Sequence, residues 1–211
     1  MSLFITFEGG EGSGKSYQAK VLHRRLMELD ITAVLTHEPG ATPLGEKITR
    51  WLKWGRDINI SPMAELLLFN ASRAQLVAEV IRPALAAGKM VICDRYADST
   101  AAYQSYGRGL DLARVLVVNS AATQGALPNL TILMDVPVEV GLTRKKGKRP
   151  DRFEQENLAF HRRVREGYLT LAKSEPKRWL IVDATQSKAK IAEVIWKKVG
   201  KLLAKSGNRG V

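Results

Sequence analysis

Five short runs of apolar, β-prone residues punctuate the chain, at 3–7, 32–36, 90–93, 130–134 and 179–183. Between them the apolar positions fall at helical spacing. Ala19, Leu22, Leu26 and Leu29 come after the first run, and Ile191, Val194, Ile195, Val199 and Leu202 after the last. That alternation predicts βαβ units, an α/β fold whose parallel sheet is flanked by helices on both faces. A long helix is predicted from Ser61-Pro62 through Leu66, Leu67, Phe69, Leu76, Val77 and Val80, with Pro83 kinking or ending it before Gly88. Neither a repeat nor a low-complexity linker divides the 211 residues, which are read as a single domain over 1–205.

Ligands of such sheets collect at the carboxyl ends of the strands, so the residues just past each run carry the chemistry. The first run leads into Gly9-Gly10-Glu11-Gly12-Ser13-Gly14-Lys15-Ser16, which fits G-x-x-x-x-G-K-[ST], the phosphate-cradling P-loop. Its glycines let successive N–H groups turn inward, and the helix beyond it adds partial positive charge. Lys15 is placed to reach the β- and γ-phosphates of a nucleotide, and the Ser16 hydroxyl to hold Mg²⁺. The third run ends at Asp94, the position of a carboxylate for the Mg²⁺ shell, and next to it stands Arg95, which can neutralise a phosphate.

Other positions read two ways. Glu38 in Glu38-Pro39-Gly40-Ala41-Thr42-Pro43 faces the binding edge, while Thr42 and Pro43 fit a helix cap and first turn; both can hold together. Phe69 and Arg73, four apart on one face, suit a planar base that carries a phosphate, or else a core ring and a solvated charge. Thr100 and Gln104 share a face and offer a hydroxyl and an amide to a base edge, unless their helix is a plain amphipathic one.

Charge sharpens the picture. Lys and Arg number 33 against 21 Asp and Glu, a net charge of +12. Such an excess fits nucleic acid, an acidic membrane surface or polyanionic small substrates. Much of it lies in 144–165 and in the C-terminal 197–209. The dense segment Arg144-Lys145-Lys146-Gly147-Lys148-Arg149-Pro150-Asp151-Arg152 reads as a solvated loop or non-specific nucleic-acid tail or, in a phosphate-transfer enzyme, as a lid, at about 143–152, that closes over ATP and excludes water. The tail 206–211 is expected to be frayed. No apolar run approaches membrane-spanning length and no leader precedes the first strand, so a cytoplasmic location is expected. The single cysteine, Cys93, excludes an internal disulfide; its apolar setting suits a small buried side chain rather than a nucleophile.

In order along residues 3–200, Phe7-Glu8-Gly9, Glu38-Pro39-Gly40, Leu67-Leu68-Phe69 to Arg73-Ala74-Gln75, Asp94-Arg95-Tyr96, Ala102-Tyr103-Gln104, Gly107-Arg108-Gly109-Leu110 and Asp151-Arg152-Phe153-Glu154 resemble the thymidylate kinase family of P-loop nucleoside monophosphate kinases. The resemblance implies a five-stranded parallel sheet, Mg²⁺–ATP as donor, dTMP as acceptor and a homodimer, with no nucleic-acid or membrane partner. It implies that Phe69 stacks on thymine and that Arg73, Thr100 and Gln104 bond its edge or the adjoining phosphate. Tyr103 would crowd the place of a ribose 2′-OH, Glu11 would sit near the 3′-OH, Arg95 would hold the acceptor phosphate, and Glu38 with Pro39 would line that side. A P-loop without arginine beside a basic lid looks like the bacterial-type arrangement. Phosphoryl transfer needs a cation near the γ-phosphate, assigned here to Arg149, with Arg144, Lys148 and Arg152 as alternatives. The chain departs from the family pattern at Ala41, where a second glycine is common and the loop is expected to shift, and at His37, where arginine is common.

Other functions remain open on the sequence: a P-loop kinase for a different nucleotide or nucleoside, or a basic nucleic-acid-binding ATPase. A GTPase switch is disfavoured, because no Asn-Lys-x-Asp guanine signature is present.

Overall fold

The structure, a computed structural model, describes residues 2–55, 58–145, 147 and 149–207. Five parallel strands, β1 (Phe4–Glu8), β2 (Ala33–His37), β3 (Met90–Asp94), β4 (Leu130–Asp135) and β5 (Trp179–Asp183), form one sheet in the order β2-β3-β1-β4-β5. The three central strands are apolar along nearly their whole length because both of their faces are covered. On one face pack α1 (Lys15–Met27) and α9 (Lys188–Gly207), where Leu22, Leu26, Ile191, Ile195 and Val199 meet Ile5, Phe7 and Ile132. The other face is covered by α3 (Pro62–Leu76), α4 (Arg82–Ala86) and α8 (Leu158–Ser174).

The helix entering at Ser61 ends before Gly88 as expected, but not at Pro83. Ser61 caps it, its hydroxyl accepting from the Ala64 N–H at 3.3 Å. Pro83 neither ends nor isolates the next segment. A π-helical turn, Val77–Ile81, leads α3 straight into α4, and the wider turn accommodates a residue with no N–H to give. The helix stops at Ala87, before Gly88 at φ 75°. A second π-helical stretch, Ala101–Gly107, continues the short α5 (Ala97–Thr100).

The strand order reverses at β1, so the crevice between the carboxyl ends of β1, β3 and β4 is the natural ligand site. Register brings the chemistry there: Phe7 pairs with Asp94, and Glu8 with Leu133. Helices α2 (Pro43–Trp54), α6 (Leu112–Thr123) and α7 (Val138–Thr143) complete the described elements. The expected lid begins one residue after α7. Its Lys146 and Lys148, and tail residues 208–211, lie outside the described residues, whereas 206 and 207 continue α9. Cys93 is fully buried, as its apolar run suggested, with its Sγ donating to the Arg95 carbonyl.

Candidate active site

Glycine makes the first part of the site. The loop after β1 runs so close to α7 that a Cβ on Gly12, which has φ 65°, would fall 1.9 Å from the Gly141 carbonyl oxygen. No other residue fits there. The loop then opens α1, and residues Glu11 to Ser16 line an open cleft of about 1680 Å³. Lys15 folds back over the loop, donating to the Gly10 carbonyl at 2.7 Å and to Ser13 Oγ at 3.2 Å. Burial, with Arg95 nearby, lowers its pKa to about 8. Ser16 Oγ is hydrogen-bonded to Asp94 Oδ2, so a hydroxyl and a carboxylate stand together beside the cleft. These are hard oxygen donors of the kind magnesium takes. Among the described residues no cluster of three or more His, Cys, Asp and Glu could hold a metal on protein groups alone.

Beside the cleft lies a second cavity of about 570 Å³, lined by Phe69, Arg73, Thr100, Tyr103, Gln104 and Phe153 among others. Glu11, Glu38, Pro39, Lys53, Arg95 and Lys145 line both spaces, so the two open onto one another. Arg95 stands at the junction with a backbone φ of 71°, a left-handed conformation uncommon for arginine and typical of functional positions. Its Nη2 pairs with Glu11 Oε1 at 2.7 Å, and its Nη1 donates to the Gly9 carbonyl at 3.0 Å. Burial alone would raise Glu11, but Arg95, Lys15, the Tyr103 hydroxyl (2.8 Å) and Lys145 hold it down to about 2.

Beneath Arg95 sits Glu8, which is completely buried. Burial, reinforced by Asp98, drives its pKa up to about 8 even though Ser99, Arg95 and the Tyr96 N–H favour the charged form. Its oxygens take the Tyr96 N–H at 2.8 Å, the Ser99 hydroxyl at 2.5 Å and the Tyr168 hydroxyl at 3.1 Å.

Arg73 is 1% exposed and lies 5.4 Å from the Tyr96 ring. Nε and Nη2 grip Glu38, at 2.7 Å for the shortest bond; Nη1 reaches Asn70 and Asn119, and Nη2 also reaches Thr100 Oγ1 at 2.8 Å. The resemblance gives Arg73 a base edge or the adjoining phosphate; Arg73 lines the cavity, with its guanidinium N–H groups already bonded to protein partners. Thr100 and Gln104 also line the cavity, Thr100 Oγ1 accepting from Arg73 and Gln104 Nε2 donating to Glu65. Phe69 is half-buried, tilted against Phe153 with ring centres 5.6 Å apart.

A family model described as thymidylate kinase matches residues 7–195. The chain belongs to the thymidylate kinase family. It is 56% identical to the thymidylate kinase of Dehalococcoides mccartyi over 203 residues, covering 96% of this chain and 98% of that one. It is 49% identical to that of Thermomicrobium roseum over 211 residues, covering 99% of each. The crystal structure of thymidylate kinase from Ehrlichia chaffeensis superposes with a TM-score of 0.77 at 32% identity, covering 94% of this chain and 98% of that chain.

Arg149 is exposed, its guanidinium 5.9 Å from the Trp54 ring at the cleft's rim, and Arg152 is turned onto Glu65. Among the described residues, the lid cations that line the cleft are Arg144 and Lys145. Arg144 bonds the Ala184 carbonyl at 3.0 Å and reaches toward that of Gly12, while Lys145 pairs with Glu154 at 2.6 Å. A glycine at 147 separates these two positions from Arg149 in the sequence, and spacing alone does not show which side of it faces inward. Also unforeseen are Ser99, Tyr168 and Lys53, and a further hollow lined by Tyr17, Gln18, Arg144, Gln186, Ser187 and Lys188. Glu8, Asp151, Phe153 and Glu154 stood inside motifs that carried the resemblance, which was the available signal.

Proposed function

We propose that the larger cleft holds ATP, that the smaller cavity holds dTMP, and that the γ-phosphoryl passes between them where Glu11, Arg95 and Lys145 line both spaces. As a thymidylate kinase, the chain converts dTMP and ATP to dTDP and ADP. The observation that carries the assignment is Arg95, fixed at the mouth joining the two spaces, with Lys15 on the far side. Both substrates are polyanions, so the task is to bring two like charges into line. Lys15, Arg95 and the lid cations supply positive charge, and an ionised acceptor phosphate needs no general base. Arg144 and Lys145 take the lid role that the sequence reading assigned to Arg149, with Arg144 among its alternatives. Ser16 and Asp94 would hold Mg²⁺, which supplies charge neutralisation on the donor phosphates. The hollow beside Tyr17 and Gln186 suits the adenine end of ATP.

In the acceptor cavity, thymine packs on Phe69 and Phe153, its edge meets Thr100 and Gln104, and Tyr103, held by Glu11, crowds the 2′ position. Pro39 and Glu38 close the near side, with Glu38 serving to orient and neutralise Arg73. The same reading takes 1–205 as one kinase domain with its lid near 143–152, in the cytoplasm. It also takes the active species as a homodimer through the adjacent helices α3 and α6, where Leu67, Leu116 and Val117 are 52%, 47% and 70% exposed. Sedimentation of Val117→Lys as a monomer, with the parent a dimer, is the expected outcome; dimers in both would exclude that face.

The decisive assay is ADP release with dTMP, dUMP, dCMP, AMP or thymidine offered separately. dTMP is expected to give the fastest turnover, and Arg95→Ala to lower it about 10²–10³-fold with the fold retained. Nucleic-acid-stimulated ADP release that ignores dTMP would contradict the assignment.

A further inference from the structure

Glu65, near the start of α3, is 1% exposed and lines neither of the two cavities. Its Oε1 accepts from Gln104 Nε2 at 2.8 Å and from Arg108 Nε at 3.0 Å. Its Oε2 accepts from Arg108 Nη2 at 3.2 Å and from Arg152 Nη2. A carboxylate so surrounded by donors can only accept. Gln104 must therefore turn its NH₂ toward Glu65, which fixes the direction of the carboxamide on chemical grounds. The amide oxygen has no partner among the described residues, and it is not one of the buried side-chain atoms that lack one. It consequently opens on the cavity that Gln104 lines.

An acceptor at that place meets the N3–H of a thymine or uracil imide and opposes the N3 lone pair of cytosine. Glu65 also reaches the lid. Arg152 stands between Asp151 and Phe153, which line the cavity together with Glu154, and its Nε and N–H bond the Leu52 and Lys53 carbonyls at 2.9 and 3.1 Å. One buried carboxylate thus holds both the amide that faces the base and the segment that covers it.

We infer that Glu65 is a positioning residue for base selectivity: it locks Gln104 as an acceptor for an imide and thereby excludes cytosine nucleotides. The inference rests on reading the cavity lined by Gln104 as the acceptor's base site. Glu65→Gln supplies a donor at position 65, so Gln104 can turn its NH₂ into the cavity, where it suits the cytosine N3.

The test compares kcat/KM for dTMP, dUMP and dCMP, with ATP as donor, in the parent and in variants. In Glu65→Gln the dTMP:dCMP preference is expected to fall about tenfold or more, while dTMP:dUMP stays as in the parent because both bases carry the imide. A ratio taken on one preparation does not depend on the fraction that is folded. Because Glu65→Gln leaves Arg152 unpaired, Glu65→Gln/Arg152→Gln restores the charge balance and should show the same shift. Equal loss for all three nucleotides, or no change in preference in either variant, overturns the inference. Gln104→Leu separates this from the underlying reading. If that variant lowers the dTMP:dCMP preference while the Glu65 variants do not, the cavity reads the base and Glu65 has no part in it. If Gln104→Leu leaves the preference unchanged, the base is not read in this cavity and both readings fall.

Discussion

The cleft proposed for ATP and the cavity proposed for dTMP share one sheet edge and are built by opposite means. The donor side is mostly main chain: six contiguous residues, Glu11 to Ser16, line an open space, with Lys15 and the Ser16–Asp94 pair added. The acceptor side is mostly side chains, drawn from the Glu38 loop, α3, the π-helical stretch and the segment after the lid, and its charges are paired before any ligand arrives. A phosphate chain can be held by any loop of inward-turned N–H groups. A base and sugar need donors and acceptors fixed in space, and in a buried site each charge needs its counterpart to remain charged at all. One site can therefore be written in eight consecutive letters, whereas the other depends on the whole fold.

If that contrast is right, damage on the acceptor side should appear first as lost stability. Arg73→Ala strips Glu38 of its partner in a fully buried place, so unfolding free energy should drop by about 3–5 kcal/mol, read from urea denaturation. A drop under about 1 kcal/mol would mean that the network is a surface-like pair and not a prebuilt scaffold.

A smaller effect should come with pH. Glu8 holds its proton up to about 8 in the fold, against an ordinary 4.5. A raised pKa contributes stability in full below the unfolded value, and that contribution drains away as pH climbs through the folded value. Lys15, lowered to about 8, works in the opposite sense above that value. Glu8→Gln keeps Lys15, so the comparison isolates the carboxyl. Between about pH 6 and pH 9, Tm of the parent should fall more steeply than Tm of Glu8→Gln. Parallel profiles would show that Glu8 is ionised throughout.

The smallest effect concerns the loop that joins the two sites. Ala41 sits at φ 60°, where alanine is disfavoured, and its N–H is held by Glu46 at 2.9 Å. Ala41→Gly should relieve about 1–2 kcal/mol of strain, largely offset by the greater chain entropy of glycine, for a net gain within about 1 kcal/mol. Destabilisation by that substitution would show that the alanine methyl packs usefully there.

Legibility divides in the same way. Strand positions, the parallel sheet and the P-loop were readable because each is local: apolar runs, helical spacing, a contiguous motif. Asp94 and Arg95 were readable because a strand end places them. The saturation of Arg73 was not, since beyond Asn70 on its own helix, Glu38, Thr100 and Asn119 converge on it from elements distant in sequence. Nor was the inward turn of Lys145 rather than Arg149, which depends on how the lid leaves α7. The π-helical turn before Pro83 escaped because helical periodicity continues through it.

The most direct measurement is equilibrium binding of dTMP and of a non-hydrolysable ATP analogue to Lys15→Met and Arg95→Ala. With separate sites meeting at Arg95, Lys15→Met should keep dTMP affinity within a few-fold while losing the ATP analogue by about tenfold or more, and Arg95→Ala should do the reverse. Loss of dTMP binding in Lys15→Met together with unchanged dTMP binding in Arg95→Ala would contradict the account.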